Sequence, residues 1–155
     1  MLMKASLLCV LALFLTVTSC FSQLISLQNQ KELEVSKGVL FLEDSAQSLQ
    51  INDILGEKQK NLFRSIEQST KKKETIDVYW LRFSVKNETD FDREWVFDFE
   101  NWGYVDFYYQ DNAQFLLKKT GHLYPYRKRD YPVANKSYIT LPIKAGASKE
   151  CIVRL

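Results

Sequence analysis

A strict period of two begins at residue 79 and recurs through most of the chain beyond it, and only β-strands satisfy that period. In YWLRFSVKN (residues 79–87), Tyr79, Leu81, Phe83 and Val85 point one way, while Trp80, Arg82, Ser84 and Lys86 point the other. In REWVFDFE (93–100), Trp95, Phe97 and Phe99 oppose Glu94, Val96, Asp98 and Glu100. In GYVDFYYQ (103–110), Val105, Phe107 and Tyr109 oppose Tyr104, Asp106 and Tyr108. Residues 114–119 form a further short strand after the Asp111-Asn112 turn. In SYITLPI (137–143), Ile139, Leu141 and Ile143 share a face. Ala145-Gly146-Ala147 then turns into a closing strand over 149–155, where Cys151, Val153 and Leu155 share a face. Strands at roughly ten-residue spacing, separated by turn signals, predict an all-β antiparallel sandwich.

The chain before residue 79 reads differently. GVLFLED (38–44) predicts a first core strand. Leu49 and Ile51 fall at helical spacing from Ile54 and Leu55, with Gly56 as a stop, which predicts one or two short helices between the first strand and Tyr79. Residues 57–77 are a long polar connection around Leu62, Phe63 and Ile66, with room for a second short helix, and residues 24–37 leave room for one short strand. At the start, Lys4 precedes the apolar run 7–17, which is too short for a bilayer span of about 20 residues and fits a signal-peptide core. Cleavage before Gln23 gives a signal peptide over 1–22, a lead-in over 23–37 and a sandwich over 38–155 that is expected to be truncated at its C-terminal edge. Val17-Thr18-Ser19-Cys20 offers the alternative of a lipid-anchored surface protein. Either way the domain is exported. Cys151, the sole cysteine beyond the leader, has no disulfide partner and reads as a small buried hydrophobe.

A net charge of +2 over 155 residues argues against a nucleic-acid partner. The clusters Lys71-Lys72-Lys73 and Arg127-Lys128-Arg129 read as solvated loops. The single histidine, His122, has no Gly-x-Ser-x-Gly companion. With Cys151 it supplies too few ligands for zinc. No glycine-rich phosphate loop is present, so no cofactor or metal is expected. A carbohydrate-active hydrolase remains as an alternative. It would use Asp98 and Asp106, which neighbouring strands would bring within the roughly 5–9 Å that paired catalytic carboxylates need. Acids on a solvated sheet face are otherwise what solubility places there, and the domain is read as non-catalytic.

Trp80, Arg82, Tyr104, Asp106 and Tyr108 fall opposite the Phe/Val/Leu face and form the candidate ligand site. A flat ring packs on the apolar face of a sugar while arginine and aspartate hydrogen-bond its hydroxyls, so a small solute or carbohydrate is the expected ligand. A shift of one residue would invert the faces, making Trp80 core and leaving the stem of Arg82 to cover it. Docking against a partner chain is a third use of such a face.

The order of these features resembles one family. GVLFLED is followed by Tyr79-Trp80-Leu81-Arg82-Phe83 ending in Asn87. Val105, Phe107 and Tyr108 come next, then Thr120-Gly121, then Ile152-Val153-Arg154-Leu155. This is similar to the type 2 extracellular sensor domain of bacterial seven-transmembrane receptors with diverse intracellular signalling modules (7TMR-DISM), over about residues 38–155. The resemblance implies a jelly-roll-like β-sandwich akin to carbohydrate-binding modules. It also implies a periplasmic or extracellular position, attached to a seven-transmembrane region that is absent from this chain and a cytoplasmic output module. The ending at Leu155 without a membrane helix reads as a receptor fragment.

Overall fold

The computed structural model describes residues 24–30, 32–35, 37–66 and 78–155. The leader, with its signal or lipid-anchor reading at Cys20, and the lysine triplet at 71–73 lie outside the described residues. Among the described residues nine strands form two sheets. β1 is Leu24–Leu27, β2 Leu40–Asp44, β3 Arg64–Ser65, β4 Val78–Asn87, β5 Arg93–Asp98, β6 Val105–Asp111, β7 Gln114–Thr120, β8 Tyr138–Ile143 and β9 Ser148–Arg154. The large sheet runs β3-β2-β4-β9-β6-β7, with β1 also on β4, and β5-β8 form the small sheet. The ten residues of β4 serve two neighbours. Residues 78–82 pair antiparallel with β2, and residues 84–87 pair parallel with β1. All other pairings are antiparallel, so the all-β antiparallel sandwich stands.

The alternation placed the core on the correct side of β4, β5, β6, β8 and β9. Phe83, Val85, Val105, Phe107, Cys151 and Val153 face the small sheet and are buried with Ile139, Leu141 and Ile143 of β8. Phe107 is the hub, with ring centroids of Phe97, Phe99 and Phe83 at 5.4, 5.9 and 6.4 Å. One edge of this interlayer space is tied by Lys118 of β7. Its Nζ donates to the Thr140 carbonyl at 2.6 Å and pairs with Asp130 at 3.0 Å.

A second, smaller core lies on the outer face of the large sheet. The two predicted helical turns exist as α1, Ile51–Leu55, and α2, Glu57–Lys60. Asp44 closes β2 by accepting the Ser48 and Leu49 amides at 3.2 and 3.0 Å, and Gln50 N donates to Asp53 Oδ2 at 2.8 Å, which starts α1. Ile54 and Phe63 are thereby laid over Leu40, Trp80 and Ile152.

The closing strand β9 lies in the centre of the large sheet, paired with β4 on one side and β6 on the other, and Leu155 exchanges backbone hydrogen bonds with Tyr79. One expectation is corrected. Asp98 and Asp106 are not on neighbouring strands, because β5 belongs to the small sheet and β6 to the large one. Residues 99–104 carry the chain from one layer to the other, through a turn where Glu100 has φ +49°.

Two polar positions hold this frame. Asn87 is fully buried at the end of β4. Its Nδ2 donates to the Phe91 and Ile143 carbonyls at 2.9 and 3.0 Å, and its Oδ1 accepts from Thr89 N and Thr89 Oγ1 at 3.0 and 2.6 Å. Gly121 has φ +118°, and a Cβ there would sit 2.3 Å from the Gly103 carbonyl oxygen, so only glycine lets these two backbones meet.

Candidate ligand-binding face

The register of the large sheet puts four of the five predicted site residues, Trp80, Arg82, Asp106 and Tyr108, on its outer face, and Tyr104 lies just before β6. Trp80, Arg154, Asp106 and Lys119 form one row across β4, β9, β6 and β7, and Arg82, Ile152, Tyr108 and Leu117 form the next. The helical connection covers the β2–β4 half of this face. The β6–β7 half is open, with Leu117 43% exposed, and Tyr104 at its end 53% exposed.

The five residues therefore have different surroundings. Trp80 is 1% exposed and packs in the second core, its ring stacked on Tyr108 at 6.3 Å and 26°. Tyr108 is half-buried and forms the border between the covered and open halves. Arg82 is engaged with Glu150 of β9 at 2.5 Å. Asp106 Oδ1 accepts from the Tyr124 hydroxyl at 2.6 Å and lies 3.3 Å from Lys119 Nζ, which in turn donates to Tyr124 Oη at 3.2 Å. Tyr104 meets the edge of Tyr124 at 4.9 Å and 86°. The geometry thus divides the set into a Trp80–Tyr108 stack and a Tyr104–Tyr124–Asp106–Lys119 cluster.

These contacts shift the ionisable groups. Burial raises the pKa of the Tyr108 hydroxyl, and the Asp106 charge adds to it. Burial also raises the Tyr124 hydroxyl, followed by its bond to Asp106. For Lys119, burial opposes the charge, but the bond to Tyr124 and the attraction of Asp106 outweigh it and hold the ammonium above its usual value. At neutral pH both phenols are neutral hydroxyls, able to donate and accept, beside a charged pair.

Lys119, Tyr124 and Arg154, which lie beside Asp106 on this face, were not among the predicted residues. The alternation of KECIVRL already set Arg154 opposite Cys151 and Val153, and QFLLKKT set Lys119 beside Leu117, so both had a signal. Tyr124 sits in the irregular segment after Gly121, where no period exists to place it.

The hydrolase alternative loses its geometry here. Asp98 lies on the small sheet, 3.8 Å from Lys136, and accepts the Glu100 amide at 2.7 Å. It does not join Asp106. His122 is exposed, its Nδ1 3.1 Å from the Trp102 carbonyl, and among the described residues no group of His, Cys, Asp and Glu gathers as a metal set. Cys151 is buried, and burial followed by the Glu150 charge raises its thiol well above the ordinary range. In the folded protein the peptide carrying Cys151 should therefore resist iodoacetamide at pH 8 and react only after urea unfolding. Mass mapping reads this directly, and native labelling at the rate of a free thiol would contradict the burial.

A shallow hollow of about 360 Å³ lies at the other end of β4, lined by Leu24, Ile25, Ser26, Leu33, Glu34, Val35 and Lys37. It contains no aromatic ring and lacks the mixture of flat and polar groups found on the open face.

The family model described as 7TMR-DISM extracellular 2 matches residues 36–155, most of the chain. The chain belongs to this family. It is thus an extracellular sensor domain of a receptor type built on seven transmembrane spans. No curated protein matches the chain. Among the described residues no helix is long and apolar enough to cross a membrane. The 7TMR-DISM landmarks Trp80, Asn87 and Gly121 fall on the second core, the buried polar hub and the close backbone approach, positions that build the fold rather than face solvent.

Proposed function

We infer that this chain is the ligand-sensing, non-catalytic ectodomain of a bacterial membrane receptor. Its ligand, a small solute with carbohydrates included, binds over the open half of the outer face. The supporting observation is the convergence there of exposed or half-exposed rings, Tyr104, Tyr108 and Tyr124, with the charged pair Asp106–Lys119. Flat apolar surface beside donors and acceptors is what a sugar or a similar small polar solute requires. Trp80 acts from beneath by holding Tyr108 in place, and Arg82 is held aside by Glu150. Signalling then requires only that the solute favour one conformation of the attached receptor over another.

A backbone-amide NMR screen of the chain against mono- and disaccharides and small polar solutes tests this reading. A binding solute should perturb residues 104–108 and 117–124. Tyr108→Ala should weaken it by about tenfold, since loss of a stacked ring removes on the order of 1 kcal/mol or more. Perturbations confined to the hollow beside β1, or an unchanged affinity in Tyr108→Ala, would move the site elsewhere.

A further inference from the structure

We propose that the loop between β7 and β8 docks on an anionic lipid surface, with Tyr126, Arg127 and Lys128 at the contact. The proposal goes beyond the solute reading and rests on the chain being an extracellular domain of a membrane receptor.

Residues 122–136 read HLYPYRKRDYPVANK and hold the basic cluster that the solute site does not use. The cations Arg127, Lys128, Arg129 and Lys136 stand there against the single acid Asp130. That acid is engaged elsewhere: it pairs with Lys118 at 3.0 Å and accepts the Thr140 amide at 3.0 Å. Lys136 lies 3.8 Å from Asp98. Among the described residues Arg127, Lys128 and Arg129 meet no carboxylate, and Arg127 and Lys128 are exposed.

Apolar surface is interleaved with this charge. Leu123, Tyr126 and Tyr131 are 56%, 54% and 45% exposed. Bonds within the loop draw them together. Arg129 donates from Nε to the Tyr124 carbonyl at 3.0 Å and from Nη2 to the His122 carbonyl at 2.9 Å. The Tyr126 hydroxyl donates to the Pro132 carbonyl at 2.6 Å. The 3-10 turn Tyr126–Lys128 is thereby tied to the segment before it and to the segment after it. The loop is also fastened to the sandwich, through Leu123 N to the Gly103 carbonyl at 2.9 Å and Asp130 N to the Lys119 carbonyl at 2.7 Å. The two rings and the leucine are held out to solvent by a built loop.

Solubility accounts for the cations alone, not for rings fixed among them. Tyrosines sit at headgroup depth in a lipid interface, and adjacent Lys and Arg meet the anionic headgroups. The uncompensated positive charge of the loop complements such a surface. A nucleic-acid partner fits less well, since the chain as a whole carries only +2 and lies on the extracellular side. A domain carried by a membrane receptor stays close to lipid, so a few weak contacts suffice to orient it.

The test titrates the ¹⁵N-labelled full chain with nanodiscs that carry a nitroxide on a lipid headgroup. One set holds phosphatidylglycerol and phosphatidylcholine in equal parts, the other phosphatidylcholine alone. The apolar leader is common to every arm and lies outside the segment read. Phosphatidylglycerol discs should broaden the amides of 122–131, phosphatidylcholine discs should not, and high sodium chloride should abolish the difference. Arg127→Gln combined with Lys128→Gln removes exposed groups, and should lower the affinity at least tenfold. Tyr126→Ala should lower it at least threefold. The Trp80 and Trp102 indole signals report that each variant is folded. Equal broadening by both discs, no broadening of 122–131, or broadening that survives the double variant would each overturn the proposal. Tighter binding of heparin than of the discs, or a saturating shift with glycerol phosphate, would overturn it in favour of a soluble anion. A solute that perturbs residues 104–108 equally in the double variant and the parent chain separates failure here from failure of the solute site.

Discussion

Trp80→Ala is expected to lower the folding free energy by about 3–5 kcal/mol, measured as a fall in the urea midpoint at unchanged slope. The indole is 1% exposed and packs among Leu40, Ile54, Phe63 and Ile152, with Tyr108 stacked on it. Truncation removes its contacts and leaves a cavity that the short helices over it cannot close, since α1 is anchored through Asp44 and Asp53. Against a typical total of about 5–15 kcal/mol, that loss is a large share of the stability. Trp80→Phe should cost clearly less, because a ring remains against Tyr108. A cost below about 1 kcal/mol for the alanine variant would mean that the second core does not carry the load that its burial implies. Because the alanine variant compromises folding, ligand contact at this face is read from Tyr108 variants.

Asn87→Asp should cost about as much, on the order of 3–5 kcal/mol, although it changes a single atom group. The asparagine is fully buried, and its Nδ2 bridges two carbonyls that lie far apart in sequence, those of Phe91 and Ile143. A carboxylate would set an oxygen against both carbonyls, abolish two hydrogen bonds and bury a charge without a cationic partner. Thr89 would still find its acceptor, so the damage is confined to the donor side. Thermal unfolding monitored by near-UV absorbance is a sufficient measurement, and a midpoint close to that of the parent chain would show that this hub is dispensable.

The two variants mark where sequence reasoning succeeded and where it stopped. Alternation identified the core-facing sides of β4, β5, β6, β8 and β9, because β4, β6 and β9 pack their Phe, Val or Cys side against the small sheet. It could not tell which strands share a sheet. That was decided by the passage of residues 99–104 between layers, and it separated Asp98 from Asp106. Nor could alternation tell that the opposite face is half covered. The cover comes from helices of five and four residues, whose spacing is legible but whose docking place is not, and it is why Trp80, correctly placed on the outer face, is nevertheless buried. The inversion of faces that alternation left open does not occur: Trp80 is core within a second layer, not through a slip of register. The face on which each residue of the proposed site lies was legible where that residue sits on a strand. Tyr124 was not, because its position depends on the Gly103–Gly121 approach, a backbone contact with no side-chain pattern.

The position of β9 bears on the order in which the protein can assemble. Among the described strands, β9, the seam joining β4 to β6, follows all the others in the sequence. Until it arrives, β4 and β6 each present an unpaired backbone edge, and the β6–β7 hairpin has no sheet to join. The partners of β9 begin about seventy and about forty residues upstream, so closing the sheet is a late and non-local event, the kind that folds slowly. A chain that crosses a membrane from its N-terminus must therefore keep two open edges apart until β9 has followed β4 and β6 across.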